Sequence, residues 1–304
     1  VGQRFVQIND LHFRSAMRPG EQGPSGTERR AAWLIEAVRI GGLLGPADFV
    51  LGLGDQVDGG SLEAIRADLD AFVALTGEWP CPFFPVPGNH DISAREGDPD
   101  WEEPFLSAFG LPAASYSVVR DGLRLVMLNN AGTMKCDVAV TRRRGEWLAG
   151  ELTTGEKLPT ILCCHVPLVA IREPEVLAAS CRFEPWRCAE PGILEAVRAH
   201  RDQIFAVLSG HLHLTGVVHD QGVAHICVAG VATFPGDYAV YTYADRRLDV
   251  EIHQVPKSLL DSESNIHGPP RHETEFIDSR HASPQEYVMG RADERRFSIE
   301  LDNR

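Results

Sequence analysis

The chain reads as an α/β layered domain. Three observations predict it. Short apolar runs of strand length alternate with amphipathic helical stretches as far as Leu208. Five polar motifs rich in Asp, Asn and His each follow one of the apolar runs. Beyond Gly216 the pattern changes to strands and turns alone, which suggests a second, antiparallel sheet.

The elements follow in order. Arg4 to Ile8 is a short strand, and residues 13–26, rich in Gly, Pro and Ser, form a loop. Thr27 to Ile40 has helical spacing, with Thr27 as N-cap and Arg30 where a capping box would want Glu. Phe49 to Leu53 is a buried strand, and Ser61 to Thr76 a helix that opens on a serine cap. Pro85 and Pro87 mark Phe83 to Val86 as an irregular or edge strand. After a helical stretch at 101–109, Tyr116–Val119 and Leu123–Leu128 flank the hairpin signal Arg120-Asp121-Gly122. Gly145–Leu152 and Ile193–His200 are helices; Thr160–Cys164 and Ile204–Leu208 are strands. Gly216–His219, Val223–Val228, Tyr238–Tyr243 and Leu248–Gln254 supply the second sheet. Residues 1–255 thus form one domain. Residues 256–304 are polar and read as an appended tail or an arm for homo-oligomer assembly.

Composition narrows the partners. A formal net charge of −14 disfavours a broad basic surface for nucleic acid, so any phosphate must be held locally. No apolar run reaches the roughly 20 residues of a membrane span. The seven cysteines (81, 136, 163, 164, 181, 188 and 227) are odd in number and lack a CxxC pair. That argues against a disulfide framework and fits a reducing, cytoplasmic setting, with a leader removed upstream of Val1 left open.

The motifs are Asp10-Leu11-His12, Gly54-Asp55-Gln56-Val57-Asp58, Gly88-Asn89-His90-Asp91, His165 and Gly210-His211-Leu212-His213. In an extended segment residues i and i+2 point the same way, so Asp10 and His12 can reach one ion. By the same rule His211 and His213 can serve two neighbouring ions. A carboxylate is the natural bridge between dications, and Asp55 is the best placed. Asn89 adds an amide oxygen and His165 an imidazole. This mixture of oxygen and nitrogen donors suits Mn, Fe, Zn or Co better than Mg or Ca. Two metals activate a shared water and clamp a displacement, but they do not protonate a leaving alkoxide. His90 can, with Asp58 or Asp91 orienting its ring.

Each block alone is weak; five in order carry the argument. Outside them, His219 and His225 decorate a hairpin, and His200, His253, His267, His272 and His281 read as solvated. Cys163 and Cys164 read as core; Arg142–Arg144 can clamp a phosphate but read rather as a solvated helix start, and Arg14 and Arg18 are candidates of the same kind.

The five motifs resemble the calcineurin-like metallophosphoesterase family, over about residues 5–230. The resemblance implies two β-sheets packed as a sandwich and flanked by helices, with the metals at the strand ends. It implies one metal on Asp10, His12, Asp55 and His213 and a second on Asp55, Asn89, His165 and His211. Asn89 and His90 would contact substrate, His90 as the acid and Asp58 as the carboxylate paired with it. Val57-Asp58 stands where purple acid phosphatases carry a ligand tyrosine, so no iron–tyrosinate site is expected. The chain looks most like the class that includes class III cyclic-nucleotide phosphodiesterases, although Asn129 to Arg144 departs from that pattern, which usually has Asp-Ser or Asp-Thr there. The expected activity is hydrolysis of small phosphodiesters, cyclic nucleotides or glycerophosphodiesters, by a hydroxide bridging the metals. Phosphomonoesterase or nucleotide pyrophosphatase activity is the alternative. A non-catalytic scaffold is disfavoured because His90 and all seven ligands are present, and a nuclease by the net acidity.

Overall fold

Alternate residues of the first strand face two different layers, and that division organises the computed structural model. It describes residues 2–92, 102–131, 138–154, 156–184, 186, 189, 192–260, 266 and 275–301. The elements run β1 (Gln3–Ile8), α1 (Gly26–Arg39), β2 (Phe49–Leu53), α2 (Leu62–Thr76), β3 (Phe83–Val86), α3 (Glu103–Phe109), β4 (Tyr116–Arg120), β5 (Leu123–Leu128) and α4 (Val138–Thr153). They continue β6 (Thr160–Cys164), α5 (Pro174–Cys181), α6 (Gly192–Ala199), β7 (Ile204–Ser209), β8 (Gly216–Asp220), β9 (Val223–Cys227), β10 (Asp237–Ala244) and β11 (Arg247–Gln254). Last come α7 (Lys257–Leu260), α8 (Pro284–Met289), α9 (Ala292–Arg295) and β12 (Arg296–Glu300).

Two six-stranded sheets result, in the orders β12-β11-β10-β1-β2-β3 and β4-β5-β6-β7-β9-β8. β1, β2 and β3 are parallel, as are β5, β6, β7 and β9, and antiparallel strands close the sheets. Phe5, Leu51, Leu125, Ile161 and Ala206 point into the layer between the sheets. Val6 and Ile8 instead pack with Leu34 of α1 and Leu69 of α2, and Val126 and Leu162 with Leu148 of α4 and Ile193 of α6. Between the sheets, Phe5 stacks on Phe49 and Tyr241 at 4.7 and 4.9 Å, which joins three neighbouring strands. Each such buried ring is worth about 1.5–3 kcal/mol. This is the two-sheet sandwich flanked by helices. Among the described residues no helix is long and apolar enough to cross a membrane.

Several expectations change. α1 starts at Gly26, capped by Ser25, whose side chain accepts from Glu28 N while the Glu28 carboxylate accepts from Ser25 N. The capping box is therefore Ser25/Glu28, two residues before the expected start. Thr27 is released to donate to Ala232 O at 2.7 Å, and buried Arg30 donates to the carbonyls of Val231 and Ala232 at 2.6 and 2.7 Å. The strands after Gly216 do not make a sheet of their own, because β8 and β9 extend one sheet and β10 and β11 the other. Residues beyond 255 also return to the domain. β12 pairs with β11 along its whole length, and Tyr287 and Val288 of α8 are buried. His281 is not solvated: its ring lies between Asp278 Oδ1 at 2.5 Å and Glu294 Oε2 at 3.0 Å. His267 and His272 lie outside the described residues.

His225 is 2% exposed, on the face of β9 opposite Ala224 and Ile226. No hydrogen bond reaches either ring nitrogen among the described residues. Burial, against the pull of Asp220, lowers its pKa to about 4. The folded protein therefore resists protonation of His225, whereas the unfolded chain accepts a proton near pH 6.5. Stability is full above that value and falls as the pH drops toward 4, by about 3 kcal/mol. Denaturant unfolding from pH 7.5 to 4.5 should show this slope. His225→Leu should flatten it relative to the parent chain, and an unchanged slope would remove His225 as its source.

Candidate metal centre

Each motif begins where a parallel strand stops. β1 leads to Asp10, β2 to Asp55, β3 to Asn89 and His90, β6 to His165, and β7 to His211 and His213. The turns beyond β1 and β2 go on hydrogen bonding past the end of the sheet, from Asp10 N to Gly54 O, His12 N to Asp55 O and Phe13 N to Gln56 O, at 2.9–3.0 Å. The backbone here is not extended. Asp10, His12, Asp55, His211 and His213 all have positive φ, between 46 and 69°. L-residues reach this region at a cost of order 1 kcal/mol each, and they do so at sites where neighbours over-determine them. The i, i+2 arrangement thus arises from left-handed residues on either side of buried Leu11 and Leu212, not from a strand.

The ligand atoms converge in two groups. In one, the side-chain donors of Asp10, His12 and His213 lie within 4.8 Å of one another, with His213 Nε2 3.2 Å from Asp10 Oδ1. In the other, Asp55, His165 and His211 meet by the same measure. His165 Nε2 is 3.3 Å from Asp55 Oδ2, 3.2 Å from His211 Nδ1 and 3.2 Å from Asn89 Oδ1. Asp55 Oδ2 also lies 3.6 Å from His12 Nε2, so this one oxygen faces both groups. Its companion Oδ1 is occupied, accepting from His90 N at 2.8 Å.

Buried partners orient these donors. Asp10 Oδ2 accepts from Asn9 Nδ2 at 2.6 Å and from His211 N at 2.9 Å, whereas buried Oδ1 faces His213 Nε2 at 3.2 Å. Behind Asn9 stands a buried relay in which Tyr241 donates to Gln7, and Gln7 to Asn9. His165 Nδ1 donates to Leu53 O at 2.9 Å, which turns Nε2 toward Asp55. Asn130 fixes the same turn, its Oδ1 accepting from His165 N and Val166 N and its Nδ2 donating to Val166 O. Gly88 and Gly54 let the loops touch. A Cβ on Gly88 would stand 2.1 Å from Asp55 Oδ1, and one on Gly54 2.2 Å from His165 Nδ1.

Electrostatics fit a cation. Burial opposes ionisation of both carboxylates, yet His213 beside Asp10 and His165 beside Asp55 overcome it. Asp10 falls to about 2, and Asp55 well below the ordinary range. Burial likewise opposes the His165 imidazolium, but Asp55 raises it to about 9. His211, buried and next to His165, drops to about 3. Converging lone pairs repel unless a positive charge sits among them. A metal ion supplies that charge with the donor chemistry of N and O ligands.

His90, Asp58 and His12 also bring side-chain donor atoms within 4.8 Å of one another. His90 Nδ1 bonds the main-chain carbonyl of Asp58 at 2.8 Å. The Asp58 carboxylate lies 3.3 Å from His12 Nδ1 and accepts from Arg14 Nε at 2.9 Å. Asp91 does not orient the ring. Its oxygens accept from Val57 N and Gly88 N, and burial followed by Asp55 raises its pKa to about 7. Arg14 also pairs with Glu21, and Arg18 with Asp68 and Gly59 O, so both are engaged in holding the loop after β1. Arg142 and Arg143 are exposed on α4. Cys163 and Cys164 face opposite cores of the β6 sheet, and Cys136 and Cys188 lie outside the described residues. The roles of Asn9 and Asn130 have little signal in the sequence beyond an asparagine one or two residues after an apolar strand.

The model of calcineurin-like phosphoesterases matches residues 3–214. A Synechococcus protein described as a "probable cyclic nucleotide phosphodiesterase" is 29% identical over 209 residues, 69% of this chain and 72% of that one. The fold resembles a purple acid phosphatase from yellow lupin seeds, with a TM-score of 0.62 at 15% identity over 87% of this chain. The chain spans 52% of that phosphatase. It also resembles GAP50, the anchor in the Plasmodium inner membrane complex, with a TM-score of 0.54 at 15% identity over 87% of this chain and 89% of that one. Identities this low establish the fold alone.

The close approach at Gly88 gives a test. Gly88→Ala should displace Asp55 and reduce bound metal to a small fraction of the parent chain's by elemental analysis, with the circular dichroism spectrum retained. Metal content equal to the parent's would show that this contact does not govern the site.

Proposed function

Because the chain belongs to the calcineurin-like phosphoesterase family, we propose that the two donor groups hold a pair of transition-metal ions and hydrolyse small phosphodiesters. Cyclic nucleotides and glycerophosphodiesters are the first candidates. The observation that carries this reading is Asp55 Oδ2, set 3.6 Å from His12 Nε2 and 3.3 Å from His165 Nε2. An oxygen shared by two donor sets is what a bridging ligand requires. Asp10, His12, Asp55 and His213 would hold one ion, and Asp55, Asn89, His165 and His211 the other. Mn, Fe, Zn or Co suits the donors. Such ions supply Lewis acidity and a water acidic enough to attack phosphorus near neutral pH.

The remaining steps belong to the chain. Two buried carboxylates against two dications leave roughly two positive charges, which an acidic protein can use to hold a phosphate locally. Asn89 and His90 come from one turn, so the residue that binds and the residue that handles the proton are positioned together. Burial opposes the His90 imidazolium, but Asp55 and then the Asp58 carbonyl raise its pKa. A protonated His90 can donate to the departing ester oxygen while its Nδ1 stays anchored to Asp58 O. The Asp58 carboxylate, 3.3 Å from His12 Nδ1 and within 4.8 Å of a His90 ring nitrogen, orients His12 and faces His90. The diester preference draws support from the Synechococcus relative's description.

Turnover of bis-p-nitrophenyl phosphate against p-nitrophenyl phosphate in Mn(II) should favour the diester. A clear monoester preference would assign a phosphomonoesterase, and inactivity toward both with metal bound would favour a scaffold. His90→Ala should keep the metal content and lower kcat by about 10²–10⁴-fold. Unchanged kcat would remove His90 from the proton transfer.

A further inference from the structure

The segment from residue 275 to 301 lies beyond the family match, yet it meets the loop that carries His211 and His213. That loop alternates. Leu212 and Leu214 are buried in a cluster with Ile171, Tyr287 and Val288, whereas His211 and His213 belong to the two donor groups. The apolar wall that receives the leucines is thus built partly by α8.

Thr215, next in the chain, is saturated with hydrogen bonds. Its N donates to Val288 O at 2.8 Å, its carbonyl accepts from Arg172 Nη2, and its hydroxyl donates to Asp237 Oδ2 at 2.5 Å and accepts from Ala229 N at 3.0 Å. Asp237, fully buried, is held by both terminal nitrogens of Arg295 at 2.9 Å. Buried Arg172, seven residues past His165, donates to Tyr287 O at 2.8 Å and pairs with Glu294. Glu294 and Asp278 enclose His281, and Asp278 accepts from Glu173 N. The C-terminal segment therefore grips both loops that deliver histidines from the second sheet.

We infer that residues 275–301 are a clasp that positions His211 and His213 for metal, with Thr215, Asp237, Arg295 and Arg172 as its positioning residues. This rests on the metal reading above. A loop whose ligands have left-handed backbone needs its far side fixed, and the clasp fixes it with buried polar contacts that allow one geometry.

The test uses the full chain, metal-free, titrated with Co(II) and followed by visible absorption and by thermal melting of the apoprotein. Thr215→Val should weaken Co(II) binding about 10–100-fold, and Thr215→Ser should restore it. Arg295→Met, at the more exposed end of the chain of contacts, should weaken it in the same direction and decides the matter if Thr215→Val does not fold. A lowered melting temperature with Co(II) affinity within twofold of the parent would make the clasp purely structural and overturn the inference. Failure of the parent chain itself to bind Co(II) would instead overturn the metal reading.

Discussion

The hydrogen bond from His165 Nδ1 to Leu53 O, 2.9 Å long, crosses from one sheet to the other. β2 ends at Leu53 in the first sheet, and His165 follows β6 in the second. This bond joins the carboxyl ends of the sheets, as does that from His211 N to Asp10 Oδ2, and it aims His165 Nε2 at Asp55. The other donors are arranged around that pair. Asp55 can face both groups only because its second oxygen is held by His90 N, and His90 is held by the Asp58 carbonyl. Each donor group draws on both sheets, Asp10 and His12 with His213 in one and Asp55 with His165 and His211 in the other.

The site concentrates what folding ordinarily avoids. Two carboxylates and two imidazoles are almost completely enclosed, at 0–2% exposure for Asp10, His12, Asp55 and His165, and five ligands occupy left-handed backbone. Backbone strain and desolvation both oppose folding. They are offset by buried amides, Asn9 and Asn130 above all, which satisfy one oxygen of Asp10 and both amides at the His165 turn. Asp55 favours the protonated form of His165, a role that a bound cation would take over.

Much of this was legible in the chain because strand-length apolar runs end at the motifs, and five such ends in order leave few ways to assemble. Other features were not legible, because their partners lie far away in sequence. Arg30 binds Val231 and Ala232, so a residue that spoiled a capping box at Thr27 instead pins a distant turn. His281 looked solvated because its carboxylate neighbour Glu294 and the Arg172 that pairs with it sit on separate elements. The hydrogen bond between His90 and Asp58 runs through the main-chain carbonyl, which no side-chain pattern reveals. The residues after 255 looked polar because β12 is an edge strand with a single buried position, Ile299.

The position of β1 has a consequence for biosynthesis. It lies inside its sheet between β2 and β10, with Gln3 opposite Tyr243. On the ribosome, β1 and β2 can associate early, but the free flank of β1 stays open until most of the polypeptide has emerged. An open flank of this kind invites pairing with other nascent chains. Asp10 likewise waits for His213, far later in the chain, before the donor group that they form with His12 can assemble.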